Sequence, residues 1–143
     1  MKNILVALDA ESGSASLVEF AAQWAHAYQA KVWLLHVAAP DPDFVGNRVG
    51  PQYIRDLLAT ELRQEHQLLQ HFAAELHQRG IAAESLLIQG ATAEMILDET
   101  EKLAADMVVI GRHEHGWLHR FFSGCTHPEI INQSKVPVFI VPL

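Results

Sequence analysis

A single cysteine, Cys125, stands in a chain of 143 residues. It cannot make an internal disulfide, metal frameworks of paired cysteines are excluded, and such sparing use fits a reducing compartment. Long apolar runs are also missing. Half the residues are hydrophobic, yet no run reaches the roughly 18 to 20 apolar residues of a membrane span. The opening stretch MKNILVALD lacks the small-residue cleavage site of a secretory signal. The expectation is a soluble, cytoplasmic protein with no membrane partner. Positive charge is in deficit too: the formal net charge is −7 with histidine neutral, and no basic face is visible, so no nucleic-acid partner is expected. There is no internal repeat, no low-complexity segment, no Walker loop, no Ser-His-Asp or Cys-His order in a motif context and no paired-carboxylate signature. An enzymatic centre is therefore not expected.

What the chain does contain is an alternation. Asn3 to Leu8, Lys31 to Val37, Asp106 to Ile110 and Val136 to Val141 are short, β-branched-rich runs of the kind found in strands buried on both faces, and Ala82 to Ile88 is a weaker fifth. Helical stretches separate them, from Ser14 to about Gln29, Pro51 to about Arg79, Thr92 to about Ala104 and Thr126 to about Ser134. In the second helix Leu58, Leu62, Leu69, Phe72 and Leu76 form one stripe, and Gly80 stands at the usual C-terminal stop. Pro51 suits a first helical turn, Thr92 an N-cap, Ser12, Ser14 and Ser16 the capping of the first helix, and Thr126 to Glu129 reads as a capping box. Short connections and right-handed crossovers then predict one α/β domain over residues 1–143, with a mostly parallel sheet and helices on both faces. The one long irregular segment, Ala38 to Pro51, leaves the C-terminal end of the second strand and reads as a flap over a site or as a mobile loop.

The runs ILVALD, LLHV, GATAEMIL and VVIG…SG…VPVFIVPL together resemble the universal stress protein family over essentially the whole chain. The resemblance implies an open parallel five-stranded sheet in the order 3-2-1-4-5, of the Rossmann-type adenine-nucleotide-hydrolase-like architecture, with a ligand crevice where strand order reverses, between the first and fourth strands. Members that bind ATP carry Gly, two residues, Gly, nine residues, Gly, then Ser or Thr. Glycines let the backbone approach phosphate or take positive φ, and amides at the following helix start attract the anion. In register with that pattern, Gly111 matches the first glycine, Glu114 stands at the second, Gly124 matches the third, and Cys125 stands at the Ser/Thr position. Asp9 matches an acidic position that contacts adenine, and Val37 a backbone contact to the base. Glu114 would bring like charge toward a polyphosphate, Cys125 replaces a hydroxyl with a weak thiol donor, and Arg112 and Arg120 would offset Glu114.

Each of these residues also has a plainer reading. Asp9 can simply end a strand, Gly111 and Gly124 can serve turn geometry, and Cys125 can be a chance replacement of serine or a low-pKa thiol near a helix start. His113, His115, His119 and His127 raise a metal reading, the lesser alternative, but Glu114 precedes His115 and His119 instead of lying between them, so HEHGW is not the zinc-protease motif. No metal is expected. His36, Trp33 and Trp24 read as packing residues.

The expected function is that of a non-catalytic module in stress response, a homodimer through the exposed apolar strand Val136 to Val141, working through protein partners with an altered ATP loop and requiring no cofactor. The alternative is a sensor that binds ATP or AMP at Asp9, Val37, Gly111 and Gly124.

Overall fold

Alternating β-branched and aliphatic residues at Asn3–Ala7 (β1), Lys31–Ala38 (β2), Ala83–Gln89 (β3), Met107–Arg112 (β4) and Val138–Pro142 (β5) form the strands, with Ser14–Tyr28 (α1), Gln52–Gln78 (α2), Thr92–Lys102 (α3) and Thr126–Gln133 (α4) between them. The computed structural model describes residues 1–9, 13–38, 52–112 and 126–143. The five strands make one sheet in the order β3-β2-β1-β4-β5, all neighbours parallel. The expected order is therefore the observed one.

Because successive side chains on a strand face opposite ways, the sheet divides the apolar residues into two cores. Ile4, Val6, Val32, Leu34, Met107 and Val109 face α1 and α2, where Leu17, Ala21, Leu69, Phe72 and Leu76 close over them. Leu5, Leu35, Val37, Val108 and Ile110 face α3 and α4, meeting Ala93, Ile96 and Ile130. Helices thus cover both faces. The stripe expected on α2 is the face that packs: Leu69, Phe72 and Leu76 are buried, and Leu58 and Leu62 half-buried.

The helix ends show where local signals hold. After α2 the Ile81 amide donates to the Leu76 carbonyl and the Gly80 amide to that of His77, with Gly80 at φ 76°, the paired pattern that glycine permits at a helix C-terminus. The capping expectations fare worse. Gly13, at φ 100°, is the N-cap of α1, and Ala91 is that of α3; neither end has a side-chain cap. Thr92 is already the first helical residue, Ser16 lies exposed inside α1, and Ser12 and Pro51 lie outside the described residues. The start of the chain is pinned to β4's approach: the amides of Lys2 and Asn3 donate to Asp106 Oδ2 at 2.6 and 3.0 Å and hold that carboxyl below the ordinary carboxylate range. At the same end Trp33 packs on the lower core and donates through Nε1 to Asn3 Oδ1 at 3.1 Å. Among the described residues no helix is long and apolar enough to cross a membrane.

Candidate functional site

In an open parallel sheet the crevice forms beyond the strand C-termini, where neighbouring connections leave to opposite faces. Here that place lies between β1 and β4, since β1 is flanked by β2 on one side and β4 on the other. Three of the expected site residues gather at this end of adjacent strands: Asp9 just beyond β1, Val37 near the end of β2 and Gly111 near the end of β4.

Asp9 is buried, with 8% of its surface exposed. Ser14, the first residue of α1, donates its hydroxyl to the Asp9 carbonyl at 2.8 Å and lies 3.4 Å from Asp9 Oδ1. The serine expected to cap the helix instead reaches backwards and ties the end of β1 to the start of α1. Polar side chains this deeply placed are held by hydrogen bonds or carry a stability cost, so Asp9 is positioned rather than loose.

Val37 buries its side chain in the core under α3 and α4, so a ligand could meet only its main chain. The orientation of that main chain follows from the ladder. Leu35 turns its carbonyl to β1, where it accepts the Leu8 amide at 2.7 Å, and Ala38 turns its carbonyl to β3, where it accepts the Gly90 amide at 3.1 Å. With a period of two, Val37 points its amide and carbonyl the way Leu35 does, toward the β1 side and past the last β1–β2 rung. A base edge lying beside Asp9 would meet it.

Gly111 has a different explanation from the one its place in the motif suggests. It is strand residue in β4, without positive φ. A Cβ there would collide with Leu143 Cδ1 and lie 3.6 Å from Leu17 Cδ2. Glycine at this position lets the C-terminal leucine, whose amide donates to the Arg112 carbonyl at 2.9 Å, close over the strand. The atom met is the tip of a flexible leucine side chain, so this packing favours glycine without requiring it.

Glu114, Gly124 and Cys125 lie outside the described residues, as do His113, His115, His119 and Arg120 and most of the irregular segment, residues 39–51. Among the described residues no group of three His, Cys, Asp or Glu side chains could hold a metal ion.

One residue near the crevice was read only as packing. His36 is buried on β2, but both ring nitrogens face oxygen: Nδ1 lies 2.8 Å from the Leu8 carbonyl and Nε2 lies 3.3 Å from Glu65 Oε2 on α2. A sizeable cavity elsewhere, about 650 Å³ between α3 and α4, is lined by Glu94, Asp98, Glu101 and Glu129. It lies on the covered face of the sheet, away from the Asp9 crevice, and Lys135 beside it pairs with Glu101, which raises the lysine above its usual pKa.

Residues 1–142 match the sequence model of the Universal stress protein family. The chain belongs to the universal stress protein family. Universal stress protein A of Escherichia coli is 29% identical, the alignment covering 99% of this chain and 94% of the relative. Two solved members share the fold at lower identity. The universal stress protein from Archaeoglobus fulgidus in complex with dAMP superposes with a TM-score of 0.64 at 20% identity, over 99% of this chain and 98% of that one. The family protein from Arabidopsis thaliana with AMP bound gives a TM-score of 0.66 at 19% identity, over 99% and 91%. The universal stress fold thus supplies the crevice in which Asp9 and Val37 sit.

Proposed function

We propose that this universal stress protein is a non-catalytic binding module that takes up an adenine nucleotide carrying a single phosphate, and that occupancy alters the surface it offers to protein partners. The observation that carries the reading is the buried Asp9 carboxylate, held by Ser14 beside the outward-turned main chain of Val37. A carboxylate accepts from an exocyclic amine, and a strand amide and carbonyl pair with a base edge, so the two together suit adenine. Structural neighbours described with AMP or dAMP support the same ligand class. A single phosphate is favoured because Glu114 stands in the sequence where a glycine would meet a longer, more negative chain.

Titration calorimetry with AMP, ADP and ATP tests this. AMP is expected to bind most tightly, and Asp9→Ala to weaken it by at least about thirtyfold, the loss of ~2 kcal/mol for a hydrogen bond to a charged acceptor. Equal affinity of Asp9→Ala and the parent protein would refute the base contact. A second reading, that the protein works through protein partners without nucleotide, is favoured by the departures at Glu114 and Cys125, two of the four motif positions. Indifference to millimolar AMP in the parent protein would establish it.

The same reading includes a homodimer. Among the described residues β5 pairs with β4 alone and ends the sheet, and Ile140 on it is 40% exposed. An apolar edge strand of this kind is normally paired or covered, and a second copy of β5 is its simplest complement. Sedimentation at tens of micromolar is expected to give twice the 15.9 kDa chain mass; a monomer at that concentration removes the proposal.

A further inference from the structure

His36 and Glu65 are two polar residues at inward positions of two otherwise apolar faces. His36 follows Val32 and Leu34 on the side of β2 that faces α1 and α2. Glu65 falls on the stripe of Leu58, Leu62, Leu69, Phe72 and Leu76. Their side chains are 6% and 26% exposed.

The hydrogen-bond pattern around the ring restricts where protons can be. The Leu8 carbonyl has only lone pairs to offer, so Nδ1 must carry a hydrogen and donate. Nε2 then faces Glu65 Oε2 at 3.3 Å, a buried oxygen with no hydrogen bond among the described residues. The contact is close without hydrogen-bond alignment, so the ring is anchored through Nδ1 and packed through its Nε2 edge. From α2 come Glu65 and, one turn earlier, Glu61, which together with Gln64 and Leu68 line a cavity of about 300 Å³. From β1 come the Leu8 carbonyl and, next in the chain, Asp9; from β3 the register partner is Leu87.

The position matters because of what His36 touches. It is the chain neighbour of Val37, and its ring holds the carbonyl of the Leu8–Asp9 peptide. The two expected base contacts, one on each strand, are therefore linked through this one side chain, and Glu65 links it onward to α2.

We propose that His36 is a positioning residue for the base-binding end of the crevice: through Nδ1 it holds the Leu8–Asp9 peptide against β2, while its Nε2 edge packs against Glu65 of α2. The assignment of a base-binding end rests on the function proposed above, while the hold on Asp9 does not.

Nitrogen-15 NMR of the histidine rings, with hydrogen exchange at the Asp9 amide and AMP titration, separates these. The His36 ring of the ligand-free parent protein is expected to show a proton on Nδ1 engaged in a hydrogen bond, and to keep it in Glu65→Gln. His36→Ala is expected to speed Asp9 amide exchange and to weaken AMP by about tenfold, the loss of one positioning hydrogen bond. His36→Asn, short enough to reach the Leu8 carbonyl but not Glu65, should restore both toward the parent values. A ring without a proton on Nδ1 in the parent protein, or Asp9 exchange unchanged in a folded His36→Ala, overturns the proposal. A parent protein that ignores AMP while the ring and exchange results hold would sink the nucleotide reading and leave the positioning role standing.

Discussion

Leu34→Ala is expected to destabilise the protein by about 2–5 kcal/mol, the range for truncating a fully buried leucine whose surroundings cannot collapse. Leu34 has no exposed surface and sits mid-strand in β2, with β1 and β3 hydrogen-bonded on either side and α1 and α2 packed above. The flanking strands cannot move inward without breaking their ladders, so most of the vacated volume would stay open. Urea unfolding should show a lower midpoint at unchanged slope, because the surface exposed on unfolding hardly alters. By contrast Ile140→Ala, on a 40% exposed edge position, should cost under about 1 kcal/mol in the isolated chain. A Leu34→Ala loss below that level would mean that the upper core is plastic, and the rigid placement of Asp9 and Val37 on neighbouring strands would lose its basis.

The difference between those two positions also marks how far the sequence could be read. The four strands of continuous apolar character and the α2 stripe were legible because burial on both faces, or on one helical face, leaves a periodic trace that local composition does not disturb. Gly80 was legible for a related reason: positive φ at a helix end nearly demands glycine. Strand order has no such local trace. It came from the family resemblance, since which strands lie side by side is decided by contacts far apart in the chain.

Capping failed where competing partners existed. Ser14 could satisfy the start of α1 or the end of β1, and its hydroxyl goes to the Asp9 carbonyl. Thr92 and Ala91 are separated by one residue, less than the precision of any boundary argument. Gly111 shows a subtler limit. Its motif register pointed to phosphate, while Leu143, whose side chain packs where a Cβ would stand, is distant in sequence and could not be placed beside it without the fold. His36 and Glu65 each left a signal, one polar residue at an inward position of an apolar pattern. Either alone reads as a packed exception. Only the sheet register and the seat of α2 bring the two exceptions to 3.3 Å and turn them into a pair.

The replacement of Glu114→Gly together with Cys125→Ser tests the part of the site that the motif assigns. It should raise affinity for ATP by about ten- to a hundredfold, as a like-charge opposition worth a few kcal/mol is removed and a hydroxyl donor is supplied. Affinity for AMP should change by no more than about threefold, because the proposed adenine contacts at Asp9 and Val37 are untouched and a single phosphate is shorter than the chain for which the motif supplies position 114. The separation of the two ligands is the informative result. A parallel gain for AMP and ATP would mean that Glu114 acts on the whole crevice through its field. No gain for either, measured by the same calorimetry with the fold intact, would mean that the reshaping of this site extends beyond those two residues. Gly111 is then the first place to look, since Leu143 Cδ1 lies where a Cβ would stand on it. Adding Leu143→Ala to the double variant tests this, with a returned ATP gain expected if that leucine is the obstacle.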